Sequence, residues 1–268
     1  MNILIFLIAV AGFFITCRLF PYFLDLLMRS GATKRNWQGE NIPAVAGIII
    51  PIVLGLSSIP LVWMRKDPEI SVYLFAIYGV TLLGLFDDLL GDNQQKGLRG
   101  HFYFFWREKK LSTGAIKALG TGILAFWIVI VRNESGFYTV LNWLVIVFCV
   151  NFINLLDLRP GRALKGTLFF VIFAFFFPIP VLWLAAAITG IVLAYAHYDL
   201  EGKTMLGDTG ANPLGMAVGI LFIHTPAIVR LTLVFFLIAI HFISEKISLS
   251  RLIEKNYFLR MIDQWGRK

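Results

Sequence analysis

Apolar residues along the chain fall into nine stretches, each bounded by charged residues, proline or glycine. A helix needs about 20 apolar residues to cross the hydrocarbon core of a bilayer, and most of the stretches approach that length. Two boundaries lie at Pro178-Ile179-Pro180 and at His224-Thr225-Pro226, because proline interrupts the hydrogen bonds of a helix. The pattern predicts an all-α, polytopic membrane protein with about nine transmembrane helices. The stretches lie near residues 2–20, 42–63, 70–86, 114–131, 137–154, 167–180, 181–198, 213–225 and 226–244.

Composition supports this class. The 268 residues are 58% hydrophobic and only 15% charged, whereas soluble domains are about half apolar and a quarter charged. This balance excludes a cytosolic enzyme, a disordered tail protein and a nucleic-acid-binding module. The net charge of +8 has a simpler explanation in membrane topology, because cytoplasmic loops carry an excess of lysine and arginine.

The same rule orients the chain. With nine spans and the N-terminus outside, only Arg65, Lys66, Arg132 and Arg230 of the 24 lysines and arginines face outward. The external connections are then short and plain, the C-terminus is cytoplasmic, and any active site is expected on the cytoplasmic face. We expect one membrane domain over residues 1–268, whose last part, 245–268, forms an interfacial amphipathic helix. The polar cytoplasmic stretches are 29–41, 87–117, 151–166, 199–212 and 245–268.

Two carboxylate motifs close predicted spans on that face. Asp87 and Asp88 are adjacent, so they repel each other unless a cation shares the site. They form a solvated helix end, a magnesium or diphosphate site, or a carboxylate base. Asn151, Asn154 and Asp157 follow one another at intervals of three residues and cover roughly 120° of a helix. They bond neighbouring helices, or they offer oxygen atoms to Mg²⁺ and polar contacts to a ribose or base.

Cations and glycines accompany these motifs. Arg159, Arg162 and Lys165 follow directly and suit a phosphate clamp, although ordinary positive-inside charge explains them too. Gly207-Asp208-Thr209-Gly210 opens the eighth stretch as a tight turn or as a helix N-terminus that binds phosphate. The basic segment 96–101, together with Lys117, suits anionic lipid headgroups or a substrate diphosphate.

Taken in order, four motifs resemble those of the polyprenyl-phosphate N-acetylhexosamine-1-phosphate transferase superfamily, glycosyltransferase family 4. This superfamily includes the phospho-N-acetylmuramoyl-pentapeptide transferases and the UDP-GlcNAc:undecaprenyl-phosphate GlcNAc-1-phosphate transferases. The compact chain is similar to a Gram-positive-type branch. The motifs are Ile42–Gly47, Asp87-Asp88, Asn151-xx-Asn154-xx-Asp157 and Gly207–Gly210.

The resemblance implies a Mg²⁺-dependent transferase of the bacterial plasma membrane. It would move a sugar 1-phosphate from a UDP-N-acetylhexosamine-type donor to undecaprenyl phosphate and release UMP. The product would serve cell-envelope polysaccharide or peptidoglycan precursor synthesis. The implied partners are the UDP-sugar, undecaprenyl phosphate and membrane lipids, without nucleic acid. The oligomeric state stays open, with a homodimer as one option.

The resemblance also implies residue roles. Asp208 and Asn154 match the magnesium ligands, with Mn²⁺ as a substitute ion. Asp87 and Asp88 match paired catalytic aspartates, one of which is proposed to activate the lipid phosphate. The substrate-binding set consists of Asn151, Asp157, Lys117, Arg159, Arg162 and Lys165.

The sequence departs from the family pattern in three places, and two of these departures, the altered nucleotide motif and the missing histidine-rich loop, keep a second hypothesis open. Arg159–Arg162 replaces an acidic repeat, Gly91 stands where an aspartate is usual, and the histidine-rich loop near the C-terminus is missing. The alternative is a catalytically weak paralogue that binds lipid carrier or nucleotide and regulates or scaffolds envelope synthesis. A transporter is disfavoured, because it would carry charged residues near the membrane midplane.

Overall fold

The computed structural model describes residues 2–36, 38–91, 112–134 and 136–267. This part of the chain forms eleven helices and one antiparallel hairpin of Thr33–Arg35 (β1) and Asn41–Pro43 (β2). The predicted all-α class is confirmed, and the basic segment 96–101 lies outside the described residues. The helices are Asn2–Ser30 (α1), Ile49–Arg65 (α2), Pro68–Leu90 (α3), Thr113–Val131 (α4), Phe137–Leu156 (α5), Arg162–Ala174 (α6), Leu182–Leu200 (α7), Asp208–Ile223 (α8), Ala227–Lys246 (α9), Leu249–Lys255 (α10) and Tyr257–Gln264 (α11).

Each of the nine predicted stretches forms a helix, and both proline boundaries are confirmed, since α6 ends before Pro178 and α8 ends before Pro226. Within the described ranges, seven helices are long and apolar enough to cross a membrane. The other two, α6 and α8, have 13 and 16 residues. At 1.5 Å per residue, α8 is about 24 Å long. It is buried along nearly its whole length, so it forms the centre of the bundle.

Helix α1 is longer than predicted and continues through Pro21 to Ser30. Its side chain Phe20 is fully buried, with ring centroids 5.0 Å from Tyr195 and 4.8 Å from Tyr198 of α7. This packing against α7 holds the helix together across a residue that removes one backbone hydrogen bond.

Helix α2 starts later than the predicted span 42–63, because residues before Ile49 bond to another part of the chain. The amide of Met205 donates to the carbonyl oxygen of Pro43 at 2.8 Å, and the amide of Gly47 donates to that of Leu206 at 3.2 Å. These groups are therefore not available for helical hydrogen bonds. The strap between residues 43–47 and 205–206 fixes the chain immediately before α8.

The end of the bundle predicted to be external carries a buried polar network, which we call the Arg132 cluster. Its arginine lies 2.7 Å from Glu134, and Arg230 donates to the amide oxygen of the fully buried Asn142 at 2.6 Å. His224 at the end of α8 contacts Arg132 at 2.9 Å. The external connections are thus short, as predicted, but they carry buried charged residues, which was not predicted. They join α4, α5, α8 and α9 through charges.

We expect Arg132→Met to lower the free energy of unfolding by about 3 kcal/mol, because it leaves the Glu134 carboxylate without its closest cation in a partly buried site. The side chain of Arg132 is only 14% exposed. Thermal unfolding in detergent measures the change, with the exposed Arg65→Met at the same end of the bundle as the control. Equal melting temperatures for the two variants would contradict this role.

Candidate active site

At the opposite end of the bundle, side chains from three helices meet around one lysine. Lys117 near the start of α4 has its Nζ atom 2.6 Å from Oδ2 of Asp87 in the last turn of α3. The same nitrogen lies 2.6 Å from Oδ2 of Asp208, the first residue of α8. Each side chain is less than one fifth exposed. Two carboxylates that are distant in sequence thus share one cation, which offsets their repulsion.

Glycines allow these backbones to approach each other. A Cβ atom on Gly84 of α3 would collide with the backbone of Asp208, and one on Gly47 would collide with Gly210. Gly207 has φ +68°, a conformation that glycine adopts without strain. The glycines of Ile42–Gly47 and Gly207–Gly210 therefore bring the α8 N-terminus against α3 and the strap.

Asp88 occupies a different position from its neighbour. Its carboxylate accepts hydrogen bonds from the amide of Asp208 at 3.2 Å and from the amide and hydroxyl of Thr209 at 2.9 and 2.6 Å. The backbone carbonyl of Asp88 accepts from Lys34 at 2.8 Å. Asp88 thus caps the N-terminus of α8 from a separate helix, whereas Asp87 faces Lys117.

The seam between α5 and α8 places the next polar residues. Gly219 and Gly215 pack against Ile146 and Val150, so the two helices run antiparallel. One turn further along α5, Asn154 lies at the level of the first turns of α8. Asn151 lies in the turn before it and is exposed.

Asp157, just past the end of α5, is hydrogen-bonded by the amide of Gly207. Desolvation by burial raises the pKa of Asp157 well above its usual range, and the charges of Asp199, Asp208 and Asp88 raise it further. The carboxylates of this end of the bundle are therefore close enough to influence one another.

Two residues of this region were missed by the sequence analysis. Asn212 lies one turn after Asp208, is 1% exposed, and its Nδ2 atom lacks a hydrogen-bond partner among the described residues. Asp199 is 4% exposed and accepts from the amide of Gly161 at 2.6 Å. The signal for both was a polar residue in an otherwise apolar helix.

The three cations of the predicted phosphate clamp have different surroundings in the structure. Arg162 is 5% exposed and binds Asp263 of α11 through two hydrogen bonds, at 2.8 and 3.0 Å. Lys165 donates to the carbonyl oxygen of Asp263 at 2.7 Å. Both cations thus bind the C-terminal tail, because its carboxylate and carbonyl oxygens accept their hydrogen bonds. Arg159 is exposed.

Comparison with known proteins relates the chain to a membrane transferase. No family model matches the chain. The chain is 28% identical to a phospho-N-acetylmuramoyl-pentapeptide-transferase of Wolbachia sp. subsp. Drosophila simulans (strain wRi), over 90% of this chain and 78% of that protein. That protein is a member of the polyprenyl-phosphate N-acetylhexosamine-1-phosphate transferase superfamily. The resemblance predicted from the four motifs is confirmed by this similarity, and the chain is a multi-pass membrane protein.

The oxygen atoms at this end of the bundle fit a magnesium ion. Oxygen atoms of Asp87 and Asp208 already converge within 2.6 Å of one cationic nitrogen, and Asn154 lies in the last turn of α5, which packs against α8. Mg²⁺ prefers oxygen ligands and keeps several waters or substrate phosphates in its shell. Over the described ranges, no group of three or more His, Cys, Asp or Glu side chains is placed to hold a metal ion.

Proposed function

We propose that this protein transfers a sugar 1-phosphate from a UDP-N-acetylhexosamine-type donor to undecaprenyl phosphate and releases UMP. The observation that carries the proposal is the convergence of Asp87, Lys117 and Asp208 at one end of a membrane bundle. The relationship to a phospho-N-acetylmuramoyl-pentapeptide-transferase supports transfer of a phospho-sugar to a polyprenyl phosphate carrier. The choice of sugar belongs to the proposal.

The chemistry requires this kind of site. A phosphate acceptor must approach a diphosphate, and both carry negative charge, so catalysis of phosphoryl transfer depends on positioning and charge neutralisation. Lys117 provides a cation, and a bound Mg²⁺ would neutralise further charge on the diphosphate. The site lies at the ends of membrane helices, where a lipid acceptor and a water-soluble nucleotide can both reach it.

The residues have distinct roles in this proposal. Asp208 and Asn154 would hold Mg²⁺, or Mn²⁺ in its place. Lys117 binds the diphosphate once its bonds to the two carboxylates are exchanged for phosphate oxygens. Asp87, on the same lysine, orients the acceptor phosphate and takes up its proton. Asp157 borders the nucleotide, and the exposed side chains of Asn151 and Arg159 contact it from the aqueous side.

A donor screen tests the proposal. The purified protein in nanodiscs with undecaprenyl phosphate and Mg²⁺ is given UDP-GlcNAc, UDP-GalNAc or UDP-MurNAc-pentapeptide, each with a radiolabelled sugar. We expect one donor to release UMP and to pass an equal amount of label to the lipid. Specific binding of nucleotide or lipid carrier, with no label transferred from any donor, would instead favour the regulatory paralogue.

A further inference from the structure

The C-terminal tail, α10 and α11, is attached to the turn that follows Asp157. The Arg162–Asp263 pair is bidentate, and both side chains are less than one tenth exposed. Arg267 donates to the carbonyl oxygen of Pro160 at 2.9 Å and to Asp263 at 3.0 Å. Burial raises the pKa of Asp263, but the hydrogen bonds and charges of Arg162 and Arg267 outweigh burial and lower it overall. The tail is thus held by a charged carboxylate between two arginines.

The opposite side of α11 is apolar and exposed. The exposed fractions are 73% for Tyr257, 61% for Phe258, 51% for Met261 and 77% for Trp265. Such a set, next to exposed cations, is typical of helices that lie in the interface of an anionic bilayer. The cations of residues 245–268 are Lys246, Arg251, Lys255, Arg260, Arg267 and Lys268.

The position of the tail identifies what covers this apolar face. Only Ile247 and Ser248 separate α10 from the membrane-length helix α9, which ends at Lys246. The tail therefore starts at the membrane surface. Its basic residues complement anionic headgroups, and each Lys or Arg near such a surface contributes about 1 kcal/mol. The occupant that matches both the apolar and the basic residues is the anionic lipid surface.

The turn held by the tail is also held from within the bundle. Asp199 accepts from the amide of Gly161. Gly161 has φ +76°, which favours glycine, and a Cβ atom there would also collide with the side chain of Leu200. Four residues earlier, Asp157 is bonded by Gly207, the residue before Asp208. A change in the tail therefore reaches the α8 N-terminus through one short turn.

We propose that α10 and α11 form a membrane-surface clamp, in which the apolar face of α11 inserts into an anionic leaflet while Asp263 holds the 157–162 turn in the position required by the site. The first half of the inference concerns membrane contact alone. The second half rests on the proposed function where catalysis is measured.

Tryptophan quenching tests the membrane contact. Full-length protein is placed in nanodiscs that contain phosphatidylglycerol, with or without brominated acyl chains. The chain has seven tryptophans, so wild type is compared with Trp265→Phe. We expect the difference spectrum, which reports Trp265 alone, to be quenched at least about twofold by bromine. An unquenched Trp265, whether in water or against a protein surface, would overturn the clamp.

Hydrogen exchange tests the coupling without any assay of turnover. In the same nanodiscs, we expect Asp263→Asn to speed amide exchange in residues 158–162 about tenfold, because opening of the turn becomes easier. The exposed Glu254→Gln on the same tail is the matched control. If exchange in the turn stays unchanged in Asp263→Asn, the tail does not hold it, and the inference fails even where the donor screen succeeds.

Steady-state kinetics test whether the position of the 157–162 turn matters for the site. If the donor screen is positive, Asp263→Asn is expected to raise KM for the UDP-sugar several-fold, with a smaller change in kcat. The reversed pair Arg162→Asp/Asp263→Arg should restore part of the loss. If a variant showed fast amide exchange in the turn but an unchanged KM for the UDP-sugar, the clamp would have a structural role only, and its proposed role at the site would be overturned.

Discussion

Asp208→Asn is expected to reduce the rate of UMP release by at least about 10³-fold, the loss typical when a central electrostatic group of an active site is removed. The substitution keeps the shape of the side chain but removes one of the two charges that converge on Lys117. Asp88 bonds to the backbone amide of Asp208, not to its side chain, so the cap of α8 remains. Initial rates measure the loss of UMP release, and the Mg²⁺-dependent shift in melting temperature measures the loss of Mg²⁺ binding. We expect the shift to disappear in the variant.

The matched control is Asp25→Asn. Asp25 is an exposed carboxylate near the end of α1, paired with Arg29 at 2.5 Å, so the same chemical change occurs away from the site. An exposed pair of this kind contributes less than about 1 kcal/mol, and the control should retain the wild-type rate. A rate for Asp208→Asn within tenfold of wild type would remove Asp208 from the proposed mechanism.

The sequence predicts the helices well because the bilayer imposes their length and apolarity directly. The proline boundaries at Pro178 and Pro226 follow from local chemistry alone. The start of α2 could not be predicted in this way, since Ile42–Gly47 is apolar whether it is helical or extended. Its partners, Met205 and Leu206, are distant in sequence, and only the folded chain brings them together.

In the site too, some features follow from the local sequence, whereas others depend on contacts between residues distant in sequence. The sequence predicts that Asp87, Lys117 and Asp208 share one end of the bundle, and the structure brings them into contact. It does not predict the partner of Arg162, because Asp263 lies about 100 residues further along, in a segment whose pattern indicates only a surface helix. That segment is two short helices, not the single helix predicted. Long-range pairing of charges therefore decides which cations remain for substrate.

The two neighbouring aspartates give the second large effect. Successive residues of a helix point about 100° apart, so the structure assigns Asp87 to Lys117 and Asp88 to the α8 N-terminus. Asp87→Asn is expected to lower kcat by about 10²-fold or more, with a melting temperature close to wild type. Asp88→Asn should lower the free energy of unfolding by about 1.5–3 kcal/mol, the range for hydrogen bonds to a charged group. Turnover falls with it, because the cap positions Asp208.

A double-mutant cycle separates capping by Asp88 from a direct role in chemistry. Thr209→Val removes the hydroxyl that donates to Asp88 at 2.6 Å, and Thr209→Ser retains it as the control. Groups in one hydrogen-bonded network lose stability non-additively, so the combined variant Asp88→Asn/Thr209→Val should be less destabilised than the sum of its parts. Loss of a helix cap must destabilise the helix. If Asp88→Asn instead abolished turnover at wild-type stability, and if the stability changes of Asp88→Asn and Thr209→Val were additive, then Asp88 would act on the substrate directly.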